Sequence, residues 1–154
     1  MSEIKKTYAS LASRYKLPDF EALDKAFEII TLEHDEFLLR EIRRKIADRL
    51  EFYTHIIESI MQPDTASVSH MHEYRFFDEP KKKAMFSLFR ELMGYHRWSL
   101  KLESRLGDKD DAAFINDIWH KWEQYRKEME GICEQMELSW KAEADAAEDL
   151  EYLG

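Results

Sequence analysis

Apolar residues recur every three or four positions along most of the chain, the spacing that a helix with one buried face requires. Tyr8, Leu11, Ala12 and Tyr15 mark a short helix over about residues 4–15, which Pro18 stops by disfavouring helical dihedrals at Leu17. A second helix follows the Asp19 cap over about 19–30, carrying Leu23, Phe27 and Ile30. Its end falls at the β-branched cluster Ile29-Ile30-Thr31, where a break and a fresh Thr-capped start are expected. The first long helix then covers about 32–61, roughly 45 Å at 1.5 Å per residue. It turns Leu38 or Leu39, Ile42, Ile46, Leu50, Tyr53, Ile57 and Ile60 to the core, and Gln62-Pro63-Asp64 ends it.

From Pro63 to Phe77 the period is lost, and this stretch reads as a crossover with Phe76-Phe77 as an apolar plug. Asp78-Glu79-Pro80 is an N-cap with proline in the first turn, opening a second long helix over about 79–106. Gly107-Asp108-Lys109-Asp110 is a turn. The last helix, about 111–150, has the clearest seam, through Ile115, Ile118 or Trp119, Trp122, Tyr125, Met129, Ile132, Met136 and Trp140.

Short connections make sequential helices neighbours, so the pattern predicts an all-α, antiparallel up-and-down bundle of three long helices plus an N-terminal helical pair. Four Gly and three Pro in 154 residues agree, because straight side chains lose little rotamer freedom in helices. That length suits one domain, expected over 1–142, with 143–154 an acidic, fraying tail. Whether the tail binds a partner or only solubilises stays open. One Cys leaves no internal disulfide, and MSEIKKTYAS has neither a secretory nor a transit pattern, so a cytoplasmic location is expected. No apolar run is long enough to span a bilayer, and no membrane partner is expected. A net charge of −9 argues against a general polyanion binder, although a local basic patch could override the average.

Most bundle chemistries find no support. A di-iron site needs Glu-x-x-His, and none of the six His has Glu three positions before it. Asp117-x-x-His120 with Glu123 lies opposite Trp119 and Trp122 and reads as a solvated face, as does His55 between Glu51 and Glu58. His34 and His96 interrupt apolar faces, which suits buried or half-buried, hydrogen-bonded imidazoles and leaves a functional role open. His70 and His72 would share one side of an extended strand and are weak candidates for zinc or copper, with Glu73 or Asp78 completing the shell. Cys133, on the seam, reads as a small apolar group, and no glycine loop cradles phosphate. No cofactor is expected.

One arrangement stands out. Lys83, Ser87, Arg90, Gly94, Arg97, Lys101 and Arg105 follow steps of three and four, a stripe whose members are all basic or small. Lys81, Lys82 and Lys83 lead into it although three cations in a first turn oppose the helix dipole. Arg40 and Arg44, with Arg43, Lys45 and Arg49, add a second basic patch on the preceding long helix. The leading expectation is a non-enzymatic protein that contacts an anionic macromolecule, RNA in a ribonucleoprotein or an acidic protein, through this stripe. Glu123, Glu130, Glu134 and Glu137 on the last helix could instead pair with it inside the chain. A structural homo-oligomer, such as a homodimer continuing the seam, is a further alternative.

Two resemblances add to this. RELMGYH, Arg90 to His96, resembles the Arg-x(4–6)-His motif of the HEPN families, helical bundles that often dimerise and cut or bind RNA. That likeness implies a ribonuclease or RNA-binding module using Arg90 and His96, although Glu91 stands where the family prefers a small polar residue, and Arg49 to His55 fits the same pattern. LPDFEALDKAFEI, FLLREIRRKIADRLEFY, EYRFFDE and WHKWEQYRKEME together resemble a group of small helical archaeal proteins of no established function, which implies an archaeal-type cytoplasmic helical protein.

Overall fold

The computed structural model describes residues 2–142, and the acidic segment 143–154 lies outside the described residues. Among the described residues the fold is all-α, a helical bundle without strands. Its helices are α1 (Glu3–Tyr15), α2 (Phe20–Phe27), α3 (Leu38–Met61), α4 (Val68–Phe76), α5 (Glu79–Glu103) and α6 (Asp108–Ser139), with a 3₁₀ turn at Ile29–Thr31. Among the described residues two compact units emerge: one from residues 2–51 with 94–123, the other from 52–93 with 124–142. Helices α3, α5 and α6 each contribute residues to both units.

In the first unit, α1 begins at a Ser2 cap whose hydroxyl accepts from the Lys5 amide, and α2 at Asp19, which accepts from Ala22. Both end on non-glycine residues in the left-handed region, Lys16 (φ 55°) and Glu28 (φ 56°). Tyr8 is buried and donates to the Pro18 carbonyl at 2.6 Å, tying α1 to the turn that follows it. Phe27 leans on Trp122, ring centroids 4.6 Å apart, and Tyr95, Trp98 and Phe114 form a second aromatic cluster. The break expected at Ile29–Thr31 is present, but the new helix does not start there. Thr31 closes the 3₁₀ turn on Glu28, the chain runs irregularly to Phe37 (φ 54°), and α3 begins only at Leu38. Its inward positions match the expected stripe: Leu38, Leu39, Ile42, Ile46 and Leu50 are all buried here.

In the second unit the stripe continues through Tyr53, Ile57 and Ile60 on α3, and α6 supplies Tyr125, Met129 and Ile132. The expected crossover between Pro63 and Phe77 is instead largely α4. Asp64 accepts from the Ala66 amide, and Ser67 caps the helix by accepting from His70. Its buried residues, Met71 and His72, are adjacent rather than a turn apart, so no helical period marks the sequence. Phe77 is buried with Phe76 edge-on to it, and Asp78 caps α5 through the Lys81 amide, both as expected.

Candidate functional site

The stripe on α5 is exposed. Lys83, Ser87, Arg90, Gly94, Arg97 and Lys101 all face solvent, while Met85, Leu88, Leu92, Tyr95, Ser99 and Leu102 form the buried side of the same helix. Among the described residues no ion pair occupies Lys83, Arg90, Arg97 or Lys101. The acids of α6 that could have neutralised them are exposed as well; Glu130 pairs with Arg126 at 2.8 Å and Glu137 with Lys141 at 2.7 Å. Phe86 lies three positions after Lys83 and four before Arg90, hence beside both on the helix surface. It is 46% exposed and stacked on Phe89 at 6.3 Å, so a cation, a ring and a second cation adjoin on the unit's surface.

Gly94 sharpens this picture. It is helical, has no positive φ, and a Cβ built on it meets nothing within 4 Å. Neither backbone geometry nor packing inside the chain calls for glycine, which costs a helix interior about 0.5–1 kcal/mol relative to alanine. Its absent side chain leaves α5 bare on the face that bears Arg90 and Arg97.

The other sequence-predicted cations have different surroundings. Lys81 donates to Gln135 at 3.3 Å, and Lys82 lies 3.5 Å from the centre of the Tyr74 ring and 3.8 Å from Glu79. Arg105 falls beyond α5, which closes at Glu103 with Ser104 and Arg105 amides bonded three residues back. The expected register to residue 106 therefore stops one step short, and Arg105 lies 3.9 Å from Asp110. Arg40 and Arg44 are engaged within their own unit. Arg40 caps α5, donating to the Glu103 and Arg105 carbonyls at 3.0 and 3.1 Å and to the Glu103 carboxylate at 2.7 Å. Arg44 grips Glu103 with two bonds of 2.9 Å.

Between them Arg43 is wholly buried, with its Nε on Asp111 at 2.7 Å and its terminal nitrogens on Ser99 and Glu103. Three guanidinium groups thus surround one carboxylate. Hydrogen bonding from Arg44, with the charges of Arg43 and Arg40 beside it, pulls the Glu103 carboxyl down to about 2. Burial pushes the Asp111 carboxyl up against the opposing pull of Arg43. The run of cations around Arg43 suggests a surface patch, yet its steps from Leu39, to Ile46 and to Leu50 are four, three and seven, those of the buried stripe.

The imidazoles are dispersed. Because α4 is helical, His70 and His72 are two residues or about 200° apart, and the one-sided strand arrangement does not form. His70 Nδ1 accepts from the Asp64 amide at 3.1 Å; His72 is buried, 2.7 Å from the Ser139 carbonyl, with its ring against Trp140 at 4.0 Å. Among the described residues no cluster of His, Cys, Asp or Glu has the form of a metal site. His34 is exposed in the loop before α3 rather than half-buried, because that loop, not a helix, carries it. Arg90 and His96 are six residues apart on α5, about 120° around its axis. His96 is half-buried and accepts from Arg97 at 2.8 Å through Nδ1. Cys133 is exposed rather than packed in the seam, and partial burial together with Glu73 raises its thiol pKa, which works against reactivity.

No helix among the described residues is long and apolar enough to cross a membrane. No protein-family model matches the chain, and no curated protein or solved structure matches it either.

Proposed function

We propose that this is a non-catalytic binding protein whose exposed α5 face engages an anionic macromolecule, with RNA in a ribonucleoprotein as the partner the surface suits best. The observation that carries the reading is the exposed row Lys83, Arg90, Arg97 and Lys101, without an ion pair among the described residues, on a chain with formal charge −9. Isolated cations on an acidic protein would lower their energy by pairing locally, and among the described residues these do not. Exposed Phe86 favours RNA over an acidic helix, because an unstacked base can lie on a ring flanked by phosphate-binding cations. Gly94 gives the backbone of a partner room to approach.

The test is the Arg90→Glu, Arg97→Glu variant, with affinity for a uridine oligonucleotide measured by fluorescence anisotropy. Retained helicity with at least a tenfold loss of affinity supports the reading, and unchanged affinity refutes it. Capture from native cells that survives nuclease treatment would transfer the site to an acidic protein partner. The Arg90 and His96 reading predicts RNA cleavage that His96→Ala abolishes; with the two side chains 120° apart on α5, a second chain would have to complete such a site.

A further inference from the structure

In the second unit an open apolar groove of about 230 Å³ runs between the first turns of α5 and the C-terminal part of α6, walled by Met85, Leu88 and Ile132. Ala84 and Gly131 also line it, and a Cβ at Gly131 would meet nothing within 4 Å, so packing inside the chain does not call for glycine there. Its two ends differ in charge. Lys81 marks one end, donating to Gln135 at 3.3 Å, and Glu128 marks the other, seven residues or about 10 Å back along α6. Glu128 has no ion pair among the described residues, and burial together with the charge of Glu91 raises its carboxyl pKa. It is a carboxylate short of a cation.

The same stretch of α6 carries a matching projection. Leu138 is 50% exposed and lies seven residues from Gly131, hence about 20° round the helix on the same outward face. Glu134 lies four residues before it, exposed and with no ion pair among the described residues. Lys141 lies three after it, in the turn whose amide bonds back to Leu138, and its 2.7 Å pair with Glu137 is exposed and contributes little. The projection thus reads acid, leucine, base, while the groove reads base, apolar floor, acid. When two copies of a helix pair antiparallel about a two-fold axis, residues equidistant from the axis meet. An axis between Glu134 and Gln135 satisfies every pairing at once: Leu138 falls opposite Gly131, Lys141 opposite Glu128, and Glu134 opposite Gln135, the neighbour of Lys81.

We propose that the groove receives a second copy of this chain: two α6 helices pair antiparallel about a two-fold axis between Glu134 and Gln135, each Leu138 seated against the partner's Gly131, each Lys141 on the partner's Glu128 and each Glu134 on the partner's Lys81. Apolar contact at the centre with charge pairs around it is the arrangement of a small specific interface. Lys83 and Arg90 stand about 200° and 180° round α5 from Lys81, so pairing leaves them open. The dimer therefore stands independently of the function proposed above.

The experiment is sedimentation equilibrium of the full chain from about 1 μM to 1 mM, with circular dichroism to check that each variant keeps its helical content. Wild type is expected to approach the mass of a dimer, and Leu138→Ser and Gly131→Leu are each expected to weaken association about tenfold. Glu128→Lys and Lys141→Glu are each expected to weaken it by about three- to tenfold, and the two together, which re-form the pair with its signs exchanged, to return it to about the wild-type value. A monomer throughout the range, or a dimer that Leu138→Ser and Gly131→Leu leave unchanged, overturns the proposal. So does a dimer that the exchanged charges fail to restore, because the two-fold register requires that pair. None of these readings uses the oligonucleotide, so loss of the α5 binding face as an assignment would leave the dimer standing.

Discussion

Arg43 has no solvent exposure, so its effect on stability depends on how completely its charge is met by Asp111, Glu103 and Ser99. Removing one partner strands the other as an uncompensated buried charge, which typically costs 3–5 kcal/mol, whereas replacing both ends with apolar side chains is often close to neutral. Arg43→Ala and Asp111→Asn are therefore expected to lower unfolding free energy by about 3–5 and 2–4 kcal/mol, and Arg43→Met with Asp111→Leu by clearly less than their sum, as read from urea midpoints. Glu103 adds a pH dependence with a definite sign. Its folded-state pKa of about 2 lies below the ordinary 4.5, so the unfolded chain takes up its proton first and stability is lost as pH falls from about 4.5 towards 2. Asp111 is displaced the other way by burial, so the comparison must hold it constant. The difference in urea midpoint between wild type and Glu103→Gln should be largest above pH 5 and close as pH approaches 2. Arg43 also marks a limit of reading charge from sequence: its spacing fits the apolar stripe, but an arginine there reads as surface until Asp111, 68 positions away, is seen to meet it.

At the scale of the helix, α5 makes a claim that separates stability from binding. Gly94→Ala should raise stability by about 0.5–1 kcal/mol, because alanine restricts the unfolded chain and meets no neighbour here. If a partner's backbone rests on this face, the same substitution weakens oligonucleotide binding, and Gly94→Leu weakens it further. Both variants are measured by thermal unfolding and anisotropy side by side, and a gain in both quantities removes the close-approach role of Gly94. The long helices were legible because each buries one face over many turns: Ile42, Ile46, Leu50, Tyr53, Ile57 and Ile60 repeat at three and four and are buried. Helix α4 was not, since nine residues with adjacent buried Met71 and His72 offer no period and the cap at Ser67 is the only local signal. The late start of α3 was missed for a related reason. Thr31 resembles an N-cap, but its hydroxyl is spent on the Glu28 carbonyl and on Lys45, 2.6 Å from each. Arg105 fell off the α5 stripe because Arg40 takes the terminal carbonyls, an interaction 65 positions apart that no local pattern contains.

For the whole molecule, the acidic average and the basic face act on different length scales. A formal charge of −9 repels a polyanion at long range, but at 0.15 M ionic strength that field decays over about 8 Å, so contact-range cations decide whether binding occurs. Binding should therefore be slow to initiate at low salt and steeply weakened at high salt, rather than uniformly strong as for a basic protein. Four contacts by Lys83, Arg90, Arg97 and Lys101 imply a slope of log K against log salt of about −3 for a single strand, at roughly −0.7 per neutralised phosphate. Lys101→Gln should reduce that slope by roughly 0.7 while leaving the stacking contribution of Phe86 intact, and Phe86→Ala should lower affinity by about 1–3 kcal/mol per stacked base with the slope unchanged. Titrations between 50 and 300 mM salt distinguish the two variants. If both change only the slope, the ring takes no part and the partner is held by charge alone, which would shift the assignment from RNA towards an acidic protein surface.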